Sequence, residues 1–103
     1  MIDQLEEDHR NARLLAEGLV RIDGLHVNLR RVQTNIVICD IDDLGVLADK
    51  FVKELRENKV LVNSVSKRKV RFVTHRGIER ALSIIESVAR RIRAENNRLE
   101  NLR

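Results

Sequence analysis

Three stretches in which apolar residues return every three or four positions alternate with short β-branched runs, and this switching of period restricts the chain to a mixed α and β architecture. The first stretch, from about Asp3 to Arg21, aligns Leu5, Ala12, Leu15, Ala16 and Leu19 on one helical face, with Asp3 placed to cap its start. Gly24 interrupts the pattern, because glycine reaches the left-handed backbone that ends helices. Leu25, Val27 and Leu29 then alternate with His26 and Asn28 as a short strand would, and Thr34 to Ile41 is β-branched and almost continuously apolar, as a central strand is. Asp40, Asp42, Asp43 and Gly45 mark an acidic turn. The second helix carries Leu44, Leu47, Ala48, Phe51, Val52 and Leu55 at helical spacing.

Val60 to Val65 and Val70 to Thr74 read as two further strands joined through Ser66 to Lys69, a connection of hairpin length. From Gly77 a third helix sets Ile78, Ala81, Leu82, Ile85, Val88, Ala89 and Ile92 on one face. The predicted order is α, β, β, α, β, β, α. Amphipathic helices covering a mostly antiparallel sheet of three to four strands give an α+β two-layer sandwich. With 103 residues, no proline and no low-complexity segment, residues 1–103 are expected to form a single small domain. Residues 89–103 extend its last helix as a tail, in which Ile85, Ile92 and Leu99 hint at a short coiled-coil seam that Glu95 interrupts.

The only aromatic residues are Phe51 and Phe72, so the core must be aliphatic. Their scarcity also weakens nucleic-acid binding, which the net charge of +4 and the clusters Lys67, Arg68, Lys69 and Arg90, Arg91, Arg93 would otherwise allow. With Phe51 expected in the core, Phe72 is the one stacking candidate on the sheet, and nucleic acid is not the expected partner. Cys39 has no second cysteine to pair with and sits in an apolar run, where a buried, inert thiol is the usual outcome. No apolar run is long enough to cross a bilayer and the acidic N-terminal residues do not resemble a signal peptide, so a cytoplasmic location is expected and a membrane partner is not.

Chemistry is sparse. His9, His26 and His75 do not pair at metal-ligand spacing, and no metal site is predicted. Glu6, Glu7 and Asp8 suit the positive end of a helix dipole and need no catalytic role. No phosphate-binding glycine loop or serine elbow occurs, so no catalytic residue is assigned. Arg71 stands out, because it lies among Val70, Phe72 and Val73 in a predicted strand. Alternation turns Val70 and Phe72 to one face and Arg71 to the other, which on pattern reads as the solvent side. The other reading is a guanidinium that grips a carboxylate through two parallel hydrogen bonds. The pattern leaves both open.

Four segments carry a resemblance: LEEDHRNARLLAEGL, VQTNIVICDI, GVLADKFVKELRENKVLVNSVS and VRFVTH. In order and spacing they resemble the C-terminal third of low-specificity L-threonine aldolases over about residues 1 to 88. The resemblance implies a fold-type I enzyme that depends on pyridoxal phosphate, whose large domain binds the cofactor through a lysine and whose small domain closes over one side. It implies cleavage of L-threonine or L-allo-threonine to glycine and acetaldehyde, and it gives the arginine of VRFVTH, here Arg71, the substrate's carboxylate. The family's cofactor-binding lysine, pyridinium-pairing aspartate and ring-stacking histidine have no counterpart here. No cofactor is therefore expected on this chain alone, and it is expected to be inactive.

Where the family continues as VTH.DVS..DIE.AL, this chain reads VTHRGIERAL, a connector about seven residues shorter. The shortening would draw the last helix toward the end of the Arg71 strand, and residues after Ala89 match nothing in the family. The expected identity is an isolated, truncated or engineered small domain. Its partners would be a missing large domain or further copies of itself, since loss of the large domain would bare apolar surface. Amino-acid substrate would be met only in the complete enzyme. The alternatives are a subunit that completes a split aldolase and a basic nucleic-acid-binding module.

Overall fold

The computed structural model describes residues 4–32, 36–73 and 77–101. Helix α1 spans Gln4–Val20, strand β1 His26–Val27, β2 Ile36–Asp40, helix α2 Ala48–Glu57, β3 Val62–Ser66, β4 Lys69–Val73 and helix α3 Ile78–Asn101. The order is the one the periodicity predicts. The four strands form a single antiparallel sheet in the order β1-β2-β4-β3, so β2 and β4 are interior and β1 and β3 are edges.

Alternation along β2 and β4 divides the sheet into two unlike faces. Val37, Cys39, Val70 and Phe72 are buried on one face, together with Val62 of β3. Ile38 and Arg71 are exposed on the other. All three helices lie on the first face, α1 over β1 and β2, α2 over β3 and β4, and α3 between the two helices. The predicted helical stripes are the buried ones: Ala12, Leu15, Ala16 and Leu19 of α1, Phe51 and Leu55 of α2, and Ile85, Val88, Ala89 and Ile92 of α3. Both phenylalanines belong to this core at 0% and 1% exposure, so Phe72 offers no surface for stacking a base.

Helix α3 runs parallel to α1 and fits closely against it. Gly18 meets the side chain of Leu82, and a Cβ at this position would lie 2.5 Å from Leu82 Cδ1. Farther along, Gly24, at φ 93°, takes the chain away from the end of α1 under Leu44 in a conformation that glycine adopts without strain. The helix continues unbroken into the predicted tail. Its far end is tied down: Asn96 Nδ2 donates to the Leu44 carbonyl at 2.6 Å, Lys50 Nζ lies 4.0 Å from Glu95, and Arg91 bridges to Glu54 at 3.3 Å. Asn96→Ala is expected to lower stability by about 1 kcal/mol in urea unfolding, because it removes the donor to a carbonyl in a partly buried setting.

Three local expectations are corrected. Leu29 does not continue β1 but opens a 3-10 turn, Leu29–Arg31, because the Asn28 side chain accepts from the Arg30 amide at 3.0 Å and captures the chain. Leu44 and Leu47 precede α2: Leu44 is buried in the 3-10 turn Asp42–Leu44, and Leu47 is the exposed N-cap. The β3–β4 connection is also tighter than predicted, with Lys67 and Arg68 alone between the strands. That hairpin tip folds back on the body, since the Arg68 carbonyl accepts from Ile41 N and the Lys67 carbonyl from Ala48 N, both at 2.8 Å. The proposed cap Asp3 and the shortened connector at Thr74 to Arg76 lie outside the described residues.

Candidate functional site

Arg71 occupies the middle of β4 on the face without helices. Its cross-strand neighbours are Ile38 on β2 and Asn63 on β3. The position is exposed, and Arg71 makes no ion pair among the described residues. The burial of Val70 and Phe72, which hold β4 from the other side, fixes the face from which the Arg71 side chain leaves the strand. A cation presented in this way from a rigid strand can take up a carboxylate without first breaking an internal pair.

A depression of about 460 Å³ adjoins this row on the same face, lined by residues that include His26, Arg31, Ile38, Asp40 and Lys69. Lys69 stands opposite Asp40, and Asp40 opposite His26, across successive strands. His26 is held from outside by hydrogen bonding to Asp43. Sequence reasoning did not find this arrangement, because only the pairing of β1 with β2 brings His26 beside Asp40, and no local motif signals it. A second hollow of about 410 Å³ lies on the helix side between Leu15, Val60, Phe72, Ile78 and Ile85, and its lining is mostly apolar.

Among the described residues the other candidates form no catalytic arrangement. Among the described residues no group of histidine, cysteine and carboxylate side chains could hold a metal ion. His9 is exposed on α1, while His75 and the side chains of Glu6, Glu7 and Asp8 lie outside the description. Cys39 is fully buried, and burial pushes its thiol up to about 12. The basic hairpin is partly neutralised, since Arg68 Nη1 lies 3.2 Å from Asp42. No helix among the described residues is long and apolar enough to cross a membrane.

The fit to pyridoxal phosphate can be tested on the lysines. Covalent attachment calls for an amine inside an enclosed site, where its pKa can fall. Lys50, Lys53, Lys59, Lys67 and Lys69 are all exposed. The described residues thus present no enclosed amine for an aldehyde, and no step through the cofactor is assigned to them.

Comparison with known proteins gives the chain's relatives. No protein-family model matches the chain. Low-specificity L-threonine aldolase 1 of Arabidopsis thaliana is 38% identical over 78 residues, which cover 75% of this chain and 22% of the relative. Probable low-specificity L-threonine aldolase 2 of the same plant is 40% identical over 93 residues, covering 84% and 26%. Among solved structures, that of MppP soaked with the product 2-ketoarginine superposes with a TM-score of 0.61 at 12% identity, over 82% of this chain and 26% of that one. This likeness shows a shared fold. Over most of its own length, and over about a quarter of theirs, this chain is a homologue of the low-specificity L-threonine aldolases.

Proposed function

We propose that this chain is the carboxylate-binding side of a threonine aldolase-like, pyridoxal-phosphate-dependent lyase, and that it has no activity by itself. The observation that carries the reading is the placement of Arg71, exposed and without an ion-pair partner among the described residues, at the centre of the one sheet face that no helix covers. That face is available to the remaining three quarters of an aldolase. In such a complex Arg71 binds the substrate's α-carboxylate through paired N–H donors and fixes the orientation of the amino acid, a positioning effect. The cofactor, held elsewhere, supplies the electron sink for carbon–carbon cleavage. Ile38 and Asn63 stand on either side of Arg71 in the neighbouring strands.

The test joins this chain, in one polypeptide, to the remainder of an Arabidopsis low-specificity L-threonine aldolase and measures glycine released from threonine. The chimera should be active and the chain alone inactive. Arg71→Ala should reduce the chimera's kcat/KM by about 10²–10³-fold, with Arg71→Lys retaining part of the difference, because a point charge cannot reproduce a two-pronged contact. An Arg71→Ala chimera as active as its parent would remove the assignment. So would glycine production by the isolated chain after loading with pyridoxal phosphate, since one of the exposed lysines would then have taken over the missing work.

A further inference from the structure

Strand β3 is an edge with unusual chemistry. From Leu61 to Ser66 it reads Leu-Val-Asn-Ser-Val-Ser, without the charged residue or proline that commonly protects an exposed edge. Leu61 and Val65 are 55% and 54% exposed. The direction of its backbone groups follows from the register. Val73 N donates to the Leu61 carbonyl, so Leu61 and the alternate residue Asn63 bond inward to β4. The amides and carbonyls of Val62 and Ser64 therefore point outward. One of these groups is occupied: Arg56, in the last turn of α2, reaches round the edge, where its Nε donates to the Val62 carbonyl at 3.0 Å and its Nη2 donates to the Asn63 side chain.

We infer that the β3 edge is a pairing surface for a second copy of this chain, and that Arg56 guards it. The outward groups are self-complementary. An antiparallel twofold centred on Asn63 places Val62 of each copy opposite Ser64 of the other, and these are the residues whose free groups face outward. Leu61 then stands opposite Val65 of the second copy, which covers two exposed apolar side chains. The irregularity between Ser64 and Ser66 limits the hydrogen-bonded ladder to Val62–Ser64, with Leu61 and Val65 packing at its two ends. The four-stranded sheet becomes an eight-stranded one, with the helices of both copies on one side. Pairing must displace the Arg56 side chain from Val62, so Arg56 sets the concentration at which copies associate. This inference does not depend on the role of Arg71, which projects from an interior strand.

Sedimentation equilibrium of the 103-residue chain and its variants tests it. Arg56→Ala should lower the dimer dissociation constant at least tenfold, and Arg56→Lys, which cannot hold both acceptors together, should fall between. Ser64→Pro on the Arg56→Ala background removes one outward N–H without taking a donor from the β4 ladder, and should return the protein to the parent's mass distribution. Circular dichroism confirms that each variant is folded. If Arg56→Ala loses its fold, the comparison of Arg56→Lys with and without Ser64→Pro replaces it. The inference is overturned if folded Arg56 variants sediment like the parent at every concentration. It is equally overturned if they associate but Ser64→Pro leaves their mass unchanged, since the contact would then lie on another surface.

Discussion

Phe51→Ala should cost about 3–5 kcal/mol, an appreciable share of the stability of a domain this size, and should move the unfolding midpoint well below the parent's. Phe51 is one of two aromatic side chains in the protein and is wholly buried, as is Leu55 one turn further along α2. Apart from Phe72, the rest of the core is Leu, Ile, Val, Ala and Cys39. None of those side chains can grow into the space that a lost ring leaves, so the cavity remains and its full penalty is felt. Urea unfolding followed by circular dichroism measures the loss. A midpoint within error of the parent's would mean that α2 can collapse onto β3 without its anchor.

The second large effect concerns Cys39, whose thiol should react about a thousandfold more slowly with a disulfide reagent at pH 8 in the folded protein than in the unfolded chain. Desolvation by burial is the main cause of the raised pKa, with the nearby Asp40 charge adding to it and a backbone hydrogen bond from His26 working the other way. The thiolate is the reactive species, and a shift from 9.0 to about 12 reduces its population by three powers of ten before access is considered. The same shift fixes a pH dependence. Below about pH 9 both states hold the proton and the contribution to stability is complete; as pH rises from 9 toward 12 the unfolded chain loses its proton and the native state does not, so stability falls. Labelling at equal rates in native and denaturing buffer would show that β2 opens to solvent far more readily than its interior position implies.

Much of this fold was legible in the sequence, and the reasons for success and failure are physical. Helix α2 could be read because Phe51, Val52 and Leu55 repeat at helical spacing, and β4 because Val70 and Phe72 alternate with charged residues. Leu29 misled because it continues an apolar alternation, while the deciding event is a single hydrogen bond from the Arg30 amide to the Asn28 side chain. Strand order was not legible, since β2 joins β4 through contacts that no local pattern encodes. Alternation set Arg71 on the face opposite Val70 and Phe72 but left open whether that face met solvent or a carboxylate. What the alternation could not say is that the helices would all gather on the opposite face, leaving the Arg71 side open. The Arg56 contact with β3 was hidden for the same reason, because it depends on which strand becomes an edge.

The sheet order also bears on how the molecule assembles. The hairpin of β3 and β4 closes through two residues and can form early, whereas pairing β4 with β2 encloses a loop that contains all of α2 and β3. Among the strand pairings that closure spans the longest loop, which makes it the slow step of sheet assembly. A growing chain that has made β1, β2 and α2 therefore has β2 paired only with two-residue β1, its other side waiting for residues 69–73 to be synthesised. During that interval the apolar run from Ile36 to Ile41 is the segment most in need of a chaperone.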